Sequence, residues 1–183
     1  MAFTAPNSPH VADLPDKLTL AQNRDRAARR EPWFRRLGLS LLILLCLLGL
    51  ANLFGQRPGT TKAATAAASL SVYAPAHVRS GLYFEVRFHI VAHRELKQAT
   101  LILDPGWGEG ITINTIEPGP IGEASADGKL VLTLGHIPAG KSYILFMQSQ
   151  VNPTNVGRRS QNVELDDGTT PILRIKRTIT IFP

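Results

Sequence analysis

The residues most suggestive of a metal site in this sequence are two histidines. His89 and His93 are four residues apart, and on a helix this spacing would place both imidazoles on one face. The surrounding residues alternate between apolar and polar, which predicts a strand instead. Four residues of strand span roughly 13 Å, whereas each imidazole must come within ~2 Å of a shared ion, and the same spacing excludes Glu85. We therefore expect exposed strand histidines and no metal site.

Four carboxylates could supply oxygen ligands to calcium, and they are Asp104, Glu109, Asp166 and Asp167. Their spacing does not match a calcium-binding loop, in which the ligands occupy fixed positions of one short segment. Both Asp104-Pro105-Gly106 and Asp167-Gly168 are explained as turns. The sequence also lacks a nucleophile elbow, a phosphate-binding glycine loop and a metalloprotease helix motif. We expect no catalytic residue, no metal ligand and no cofactor.

Trp107 is the candidate contact for a partner. It lies between Gly106 and Gly108 in a predicted loop, and tryptophan is enriched at the energetic centres of interfaces. The alternative is that the indole folds back over the end of the domain and closes its core. The second interpretation is favoured over the first.

A long apolar run precedes these residues. Residues 37–54 carry no charge and ten of the eighteen are leucine. As a helix they span roughly 27 Å, close to the ~30 Å thickness of a bilayer core. Trp33 and Phe34 extend the run toward the membrane interface. We predict a transmembrane helix over residues 34–55.

The charges beside this run predict its orientation. Arg57 and Lys62 follow it, whereas six arginines precede it: Arg24, Arg26, Arg29, Arg30, Arg35 and Arg36. Arginine and lysine near a span stay on the cytoplasmic side. The prediction is a single-pass protein of the cell membrane, with a cytoplasmic N-terminus and an extracytoplasmic C-terminal domain.

Three kinds of processed signal compete with a permanent anchor. A signal peptide could be cleaved at Gly49-Leu50-Ala51, although the segment before the apolar run is longer than such signals have. Lipidation of Cys46 would need a small residue before it, where this sequence has Leu44-Leu45. Arg35-Arg36 could direct twin-arginine export, but arginines beside a span are more often the topology signal itself.

The segments on either side of the apolar run differ in character. Residues 1–33 form a basic cytoplasmic tail, largely without packed structure, in which a short surface helix over 18–36 would be interrupted by Pro32. Residues 56–69 are mostly small and predict a stalk. From residue 70 onward, short runs alternate with period two, which is typical of half-buried strands. The predicted strands are 70–74, 82–90, 98–103, 111–116, 130–134, 142–151, 162–165 and 172–182.

These strands favour an all-β sandwich over residues 70–183. Three stretches carry a family resemblance: Ser80 to Phe88, then Ala99 to Gly106, and then Leu132-Thr133-Leu134-Gly135-His136-Ile137-Pro138-Ala139-Gly140-Lys141-Ser142. They resemble the immunoglobulin-like conserved repeats of bacterial and archaeal surface proteins. The resemblance implies an immunoglobulin-like Greek-key sandwich of about seven to eight strands that serves adhesion, scaffolding or spacing, with no shared catalytic residues.

Composition is compatible with this interpretation. The sole cysteine, Cys46, lies in the apolar run, so no disulfide can form within the predicted domain, as is usual in bacterial exported domains. The basic residues show no long cluster interleaved with aromatics, which disfavours a nucleic-acid partner. The sequence predicts a non-enzymatic envelope protein whose partners are the bilayer and another membrane or cell-wall component. A transmembrane sensor coupling an outer ligand to a cytoplasmic partner is the alternative, and an enzyme with an unrecognised site comes third.

Overall fold

The computed structural model describes the backbone of residues 20–51 and 56–183, and side chains from residue 32 onward. The chain divides into two compact units, Met1–Ala51 and Asn52–Pro183. Most of the predicted N-terminal tail, and the end of the predicted span at residues 52–55, lie outside the described residues.

The first unit contains one helix, α1 (Leu20–Leu50). The prediction that Pro32 interrupts the helix is wrong, because α1 continues through it. Proline removes one amide donor, but the intrahelical hydrogen bonds on either side can still form. The segment Pro32–Leu50 is long and apolar enough to cross a membrane, and none of it is buried.

The second unit is built almost entirely of strands. They are β1 (Pro58–Ala64), β2 (Ala68–Pro75), β3 (His77–Arg79), β4 (Tyr83–Ala92), β5 (Leu96–Leu103), β6 (Ile111–Glu117), β7 (Gly122–Ala126), β8 (Lys129–Ile137), β9 (Ser142–Val151), β10 (Gly157–Ser160), β11 (Val163–Asp167), β12 (Thr170–Ile175) and β13 (Thr178–Phe182), with a 3₁₀ helix, η1 (Pro105–Trp107), after β5.

Two five-stranded antiparallel sheets enclose the core. The first sheet has the order β1-β2-β4-β9-β6, and the second has the order β12-β11-β5-β8-β7. A smaller sheet, β10-β13-β3, lies beside them and contains the parallel pair β13–β3. Consecutive strands repeatedly change sheet, as from β5 to β6 and from β8 to β9. The prediction of an all-β sandwich is confirmed, with thirteen strands among the described residues in place of seven to eight.

Alternation along β4 and β9 divides each strand between the core and the surface. The even-numbered side chains of β4 are buried throughout, from Phe84 to Ala92. In β9 the buried positions are odd-numbered and include Leu145 and Met147. This is the pattern of a sheet with one face on the core, and the predicted boundaries of β9 match those observed.

Two sequence-based boundaries are wrong. Residues 58–64, which were predicted to belong to a stalk, form β1 and pair with β2 from Pro58↔Pro75 to Ala64↔Ser69. Their side chains are small and mostly exposed. The sequence of β1 therefore shows no alternation of apolar and polar residues, although its backbone pairs with β2.

The second boundary is the predicted strand 172–182, which breaks between β12 and β13. At the break, the Arg177 amide donates to Asn162 Oδ1 and its carbonyl accepts from the Gln161 amide. Because the backbone of Arg177 bonds to residues 161 and 162, the chain leaves the second sheet here and joins the smaller one.

The burial pattern of β4 leads to a stability prediction. Replacing Phe88, which is fully buried and 5.5 Å from the Trp107 ring centroid, by alanine should lower the free energy of unfolding by about 3 to 5 kcal/mol. Replacing exposed Glu85 by alanine is the matched control and should change it by less than about 0.5 kcal/mol. Urea denaturation of the two variants measures both changes in the free energy of unfolding. Equal losses of stability would contradict the assignment of Phe88 to the core and of Glu85 to the surface.

Candidate interaction surface

The outer face of the first sheet presents the side chains that point away from the core. On β4 these are the odd-numbered residues, of which Tyr83, Glu85 and Arg87 are exposed. On β9 they are the even-numbered residues, which include Ile144 and Phe146. Tyr83 is 65% exposed, and Ile144 and Phe146 are each 40% exposed. Large apolar side chains therefore remain in solvent on this face.

Register aligns three of these side chains across neighbouring strands. Tyr73 on β2 pairs with Arg87 on β4, and Arg87 pairs with Phe146 on β9. The Arg87 guanidinium carbon lies 5.5 Å from the centroid of the Tyr73 ring and 5.1 Å from that of Phe146. We call these three residues the aromatic–arginine row. Its cation–π contacts place a charged planar group between two rings.

Carboxylates lie beside the row on the same face. Glu85 Oε1 is 3.4 Å from Arg87 Nη2, and both side chains are about half exposed. Glu117 on β6 pairs with Phe146, at the far end of the row. An exposed ion pair of this length stabilises the fold by at most about 1 kcal/mol. The Glu85–Arg87 contact can therefore be exchanged for another partner at little cost.

A shallow groove of about 270 Å³ lies at one end of the row. Gln56, Pro58, Tyr73, Pro75, Glu85 and Arg87 line it. The side chain of Gln56 reaches the sheet, where its Nε2 donates to the Tyr83 carbonyl at 2.9 Å. The groove therefore combines a guanidinium, a carboxylate, a ring and two prolines.

Trp107 does not belong to this surface. Its side chain is 1% exposed, so the suggestion that it anchors a partner is wrong and the alternative of a core-closing side chain describes the structure. Its Nε1 donates to the Asn162 carbonyl at 3.2 Å. Gly106 approaches the Ser160 carbonyl too closely for a side chain to fit, so the glycine serves tight packing.

Arg177 lies over the indole ring of Trp107. Its guanidinium carbon lies 5.1 Å from the Trp107 centroid, and its Nη2 donates to the Pro75 carbonyl at 2.8 Å. Burial lowers the pKa of Arg177 to about 10, so the group stays charged at neutral pH. This arginine is structural, because its contacts are to the core-closing ring and the backbone.

Asp104 and Asp167, two of the carboxylates considered for calcium, lie at opposite ends of β5 and accept hydrogen bonds there. Asp104 Oδ2 accepts from Ser160 Oγ and Asn162 Nδ2, each at 2.7 Å. Asp167 Oδ1 accepts from the Gln98 amide at the opposite end of β5. Glu109 contributes its backbone carbonyl to Asn155 Nδ2.

His89 and His93 likewise do not form a metal-binding group with other side chains among the described residues. His89 lies within β4, and His93 follows the last residue of that strand. Among the residues described here, no group of three His, Cys, Asp or Glu side chains could hold a metal ion.

The outer face of the second sheet differs in character. Glu164 is contacted by Arg174 at 3.0 Å and by Lys129 at 3.9 Å. Its aliphatic side chains, such as Ile102 and Val131, are only partly exposed. Glu164 is thus paired across strands with two cations, and the face carries no arginine between two aromatic rings among the described residues.

Comparisons with known proteins give no family for this chain. No family model and no curated protein matches the chain, whereas 72 chains of solved structures do. A cohesin from Archaeoglobus fulgidus has 15% identity and a TM-score of 0.38, with 60% of this chain and 88% of that one covered. The CARDB domain of a Pyrococcus furiosus protein, solved with two metal ions, has 12% identity and a TM-score of 0.38, covering 69% and 96%. AvmM, which catalyses macrocyclization in alchivemycin A biosynthesis, has 6% identity and a TM-score of 0.41, covering 70% and 90%.

The second unit is an immunoglobulin-like β-sandwich. This follows from its strand pairing and two-sheet core. At such low identities and scores the likeness to solved structures carries no argument about this chain. The residues of the aromatic–arginine row were not predicted as a site, because they come from three strands and only the register brings them together.

Asp166 gives a prediction on stability and pH. Its Oδ1 is buried and has no hydrogen-bond partner among the described residues, and burial, together with nearby Glu164, raises the pKa of its carboxyl above the ordinary 3.8. Between 3.8 and the raised pKa the folded state binds more protons than the unfolded state, so stability falls as pH rises through this window. Asp166→Asn should therefore unfold at a higher denaturant concentration than the wild type at pH 7, and the advantage should shrink as pH falls toward 3.8.

The matched control is Asp167→Asn. This variant keeps a side-chain oxygen that can accept from the Gln98 amide, so its midpoint should change little. Denaturation midpoints of the full chain in detergent, measured at pH 4 and pH 7, test both variants. A lower midpoint for Asp166→Asn at pH 7 would show that the charged carboxylate stabilises the fold.

Proposed function

We propose that this protein is a single-pass, non-enzymatic component of the cell envelope. In this proposal α1 anchors the chain in the membrane, and the immunoglobulin-like sandwich binds another membrane or cell-wall protein on the outer side. The outer face of the first sheet is the binding surface. The single observation that carries the binding role is the row of half-buried Tyr73 with exposed Arg87 and Phe146, next to which Ile144 is also exposed on β9.

Support for the anchor comes from the exposure of the helix. From Trp33 to Leu50, its large apolar side chains other than partly buried Leu48 are at least half exposed, for example Leu39 at 50% and Leu41 at 59%. Burying one such side chain is worth about 1.5 to 3 kcal/mol. A helix that is apolar on all sides requires a surrounding apolar medium, and a bilayer supplies it.

Support for the orientation comes from the arginines that precede the apolar segment. Arg35 and Arg36 lie directly before residue 37, and four further arginines lie within the preceding turns. This asymmetry favours a cytoplasmic N-terminus. The sandwich then lies outside the cytoplasm.

Support for binding through a face comes from the edges of the sheets. Strand addition needs a flat, unprotected edge. Edge strand β1 contains Pro58 and Lys62, and β12 contains Pro171 and Arg174. In β6 a bulge between Ile113 and Thr115 disturbs the edge, and β7 is short and contains a glutamate. These features disfavour pairing with a further strand and leave the faces for recognition.

The composition of the outer face supports a protein partner. Interfaces are enriched in tyrosine, phenylalanine and arginine and carry few unpaired charges at their centre. The outer face of the first sheet presents these residue types, with the amides of Gln148 and Gln150 nearby on β9. A binding role of this kind requires no reactive group.

The topology proposal predicts the location of a fused reporter. An enzyme active only outside the cytoplasm should be active when it is fused after Pro183. Replacing the six arginines from Arg24 to Arg36 by glutamine should reduce that activity, because the topology signal is lost. The control replaces Arg57 and Lys62 instead and should preserve the activity. A reporter active only inside the cytoplasm would overturn the proposed orientation.

The surface proposal predicts loss of a partner from one variant and not another. Ile144→Asp adds a charge next to Phe146 on the outer face and should abolish a reproducible adduct obtained by crosslinking intact membranes. Val156→Asp, at a 46% exposed position outside the first sheet, is the control and should retain it. Thermal midpoints verify that both variants fold. An adduct equally strong in both variants would exclude this face.

A further inference from the structure

We propose that Arg87 is the specificity-determining contact of the outer face and that it binds an acidic side chain, Asp or Glu, of the partner protein. This inference rests on the proposed function, since it presupposes that a protein docks on the first sheet. It adds the chemistry of the central contact, which the composition of the face alone does not give.

The first argument is that the Arg87 side chain is already held in place. Its guanidinium lies between the rings of Tyr73 and Phe146, at 5.5 Å and 5.1 Å from their centroids. Arginine otherwise loses considerable side-chain entropy when a partner fixes it. Because two cation–π contacts restrict it before binding, less of that loss remains to be offset by the partner.

The second argument is that the hydrogen-bonding capacity of Arg87 is largely unused. Among the described residues, its one polar side-chain partner is Glu85, at 3.4 Å from Nη2. A guanidinium has five N–H donors arranged in a planar fork that matches the two oxygens of a carboxylate. With the side chain 47% exposed, an incoming carboxylate can reach this fork from solvent.

The third argument is that apolar side chains border the charge. Phe146 and Ile144 lie along β9 on one side, and Tyr73 with Pro75 lines the groove on the other. A docked protein that covers them would exclude water from the guanidinium and strengthen its contact to a carboxylate. Tight exclusion of water around a central arginine is typical of interface hot spots.

The charge pattern favours a single carboxylate over an anionic lipid surface. Glu85 lies beside Arg87, and Glu117 pairs with Phe146 across β6 and β9. Exposed Lys62 on β1 pairs with Ser71 and lies on the same face as Arg87. The two cations and two carboxylates leave this face without a net positive charge that would attract an anionic bilayer. A protein can instead place one acidic side chain on Arg87 and neutral or basic groups opposite the two glutamates.

The test uses the full chain in nanodiscs of neutral phosphatidylcholine. The probes are two acetylated, amidated peptides of identical sequence, with leucine and tyrosine around a central residue that is Glu in one and Gln in the other. The shift of the Arg87 Nε–Hε resonance measures binding. We expect a saturable shift with the Glu peptide and at least fivefold weaker binding of the Gln peptide.

Three variants distinguish recognition by the planar guanidinium of Arg87 from recognition by its positive charge alone. Arg87→Lys keeps the charge without the bidentate geometry. This variant should bind the Glu peptide at least fivefold more weakly, as measured through the Phe146 ring resonances. Arg79→Lys, on β3, is the matched control and should leave binding unchanged. Glu85→Gln should strengthen binding about two- to fivefold, because it removes the carboxylate that competes for Arg87.

Several results would overturn the inference. Equal binding of the Glu and Gln peptides, or full binding by Arg87→Lys, would show that no carboxylate is recognised. Weaker binding by Glu85→Gln would mean that Glu85 contacts the ligand itself. An Arg87 shift caused by phosphatidylglycerol nanodiscs without peptide would assign the site to lipid.

The crosslinking experiment distinguishes failure of the Arg87–carboxylate proposal from failure of the proposed function. If Ile144→Asp abolishes the membrane adduct while Arg87→Lys retains it, the face docks a protein without using a carboxylate. If Ile144→Asp retains the adduct, the face is not the docking surface, and both proposals fail.

Discussion

Closure of the core by Trp107 is the packing constraint on which the sandwich most depends. The indole follows β5 of the second sheet and contacts Phe88 of the first sheet, with ring centroids 5.5 Å apart. Its nitrogen bonds the Asn162 carbonyl, and Arg177 lies over its face. One side chain thereby joins both sheets and the segment that leads to the small sheet. Arg177 can remain charged there because the ring and the Pro75 carbonyl replace part of its hydration.

The fold was predictable from sequence wherever a strand has one buried and one exposed face. The alternation in β4 and the bounds of β9 follow from hydrophobic period alone. It was not predictable where backbone pairing acts without side-chain burial, as in β1, since small exposed residues carry no period. Nor did the alternating segment 172–182 disclose its break, because that break depends on backbone hydrogen bonds between Arg177 and residues 161 and 162.

The candidate surface was predictable only in part, for a related reason. The period assigns Arg87 to the outside of β4, but the rings that contact it come from β2 and β9, 14 and 59 positions away. No local pattern contains this information. Trp107 shows the opposite problem, since its glycine neighbours indicated a mobile loop. Gly106 is in fact required because the Ser160 carbonyl packs against it, and tight packing and flexibility call for the same residue type.

The core and the proposed surface are linked by the register of β4. Bulges interrupt the pairings β5–β8, β6–β9 and β11–β12, whereas β4 keeps one continuous register with both β2 and β9. A slip of one residue would move Phe88 to solvent and Arg87 into the core. Burial of the even-numbered side chains therefore fixes where the odd-numbered ones lie. The geometry of the aromatic–arginine row is in this way set by hydrophobic packing on the opposite face, and its own residues remain free to specify a partner without specifying the fold.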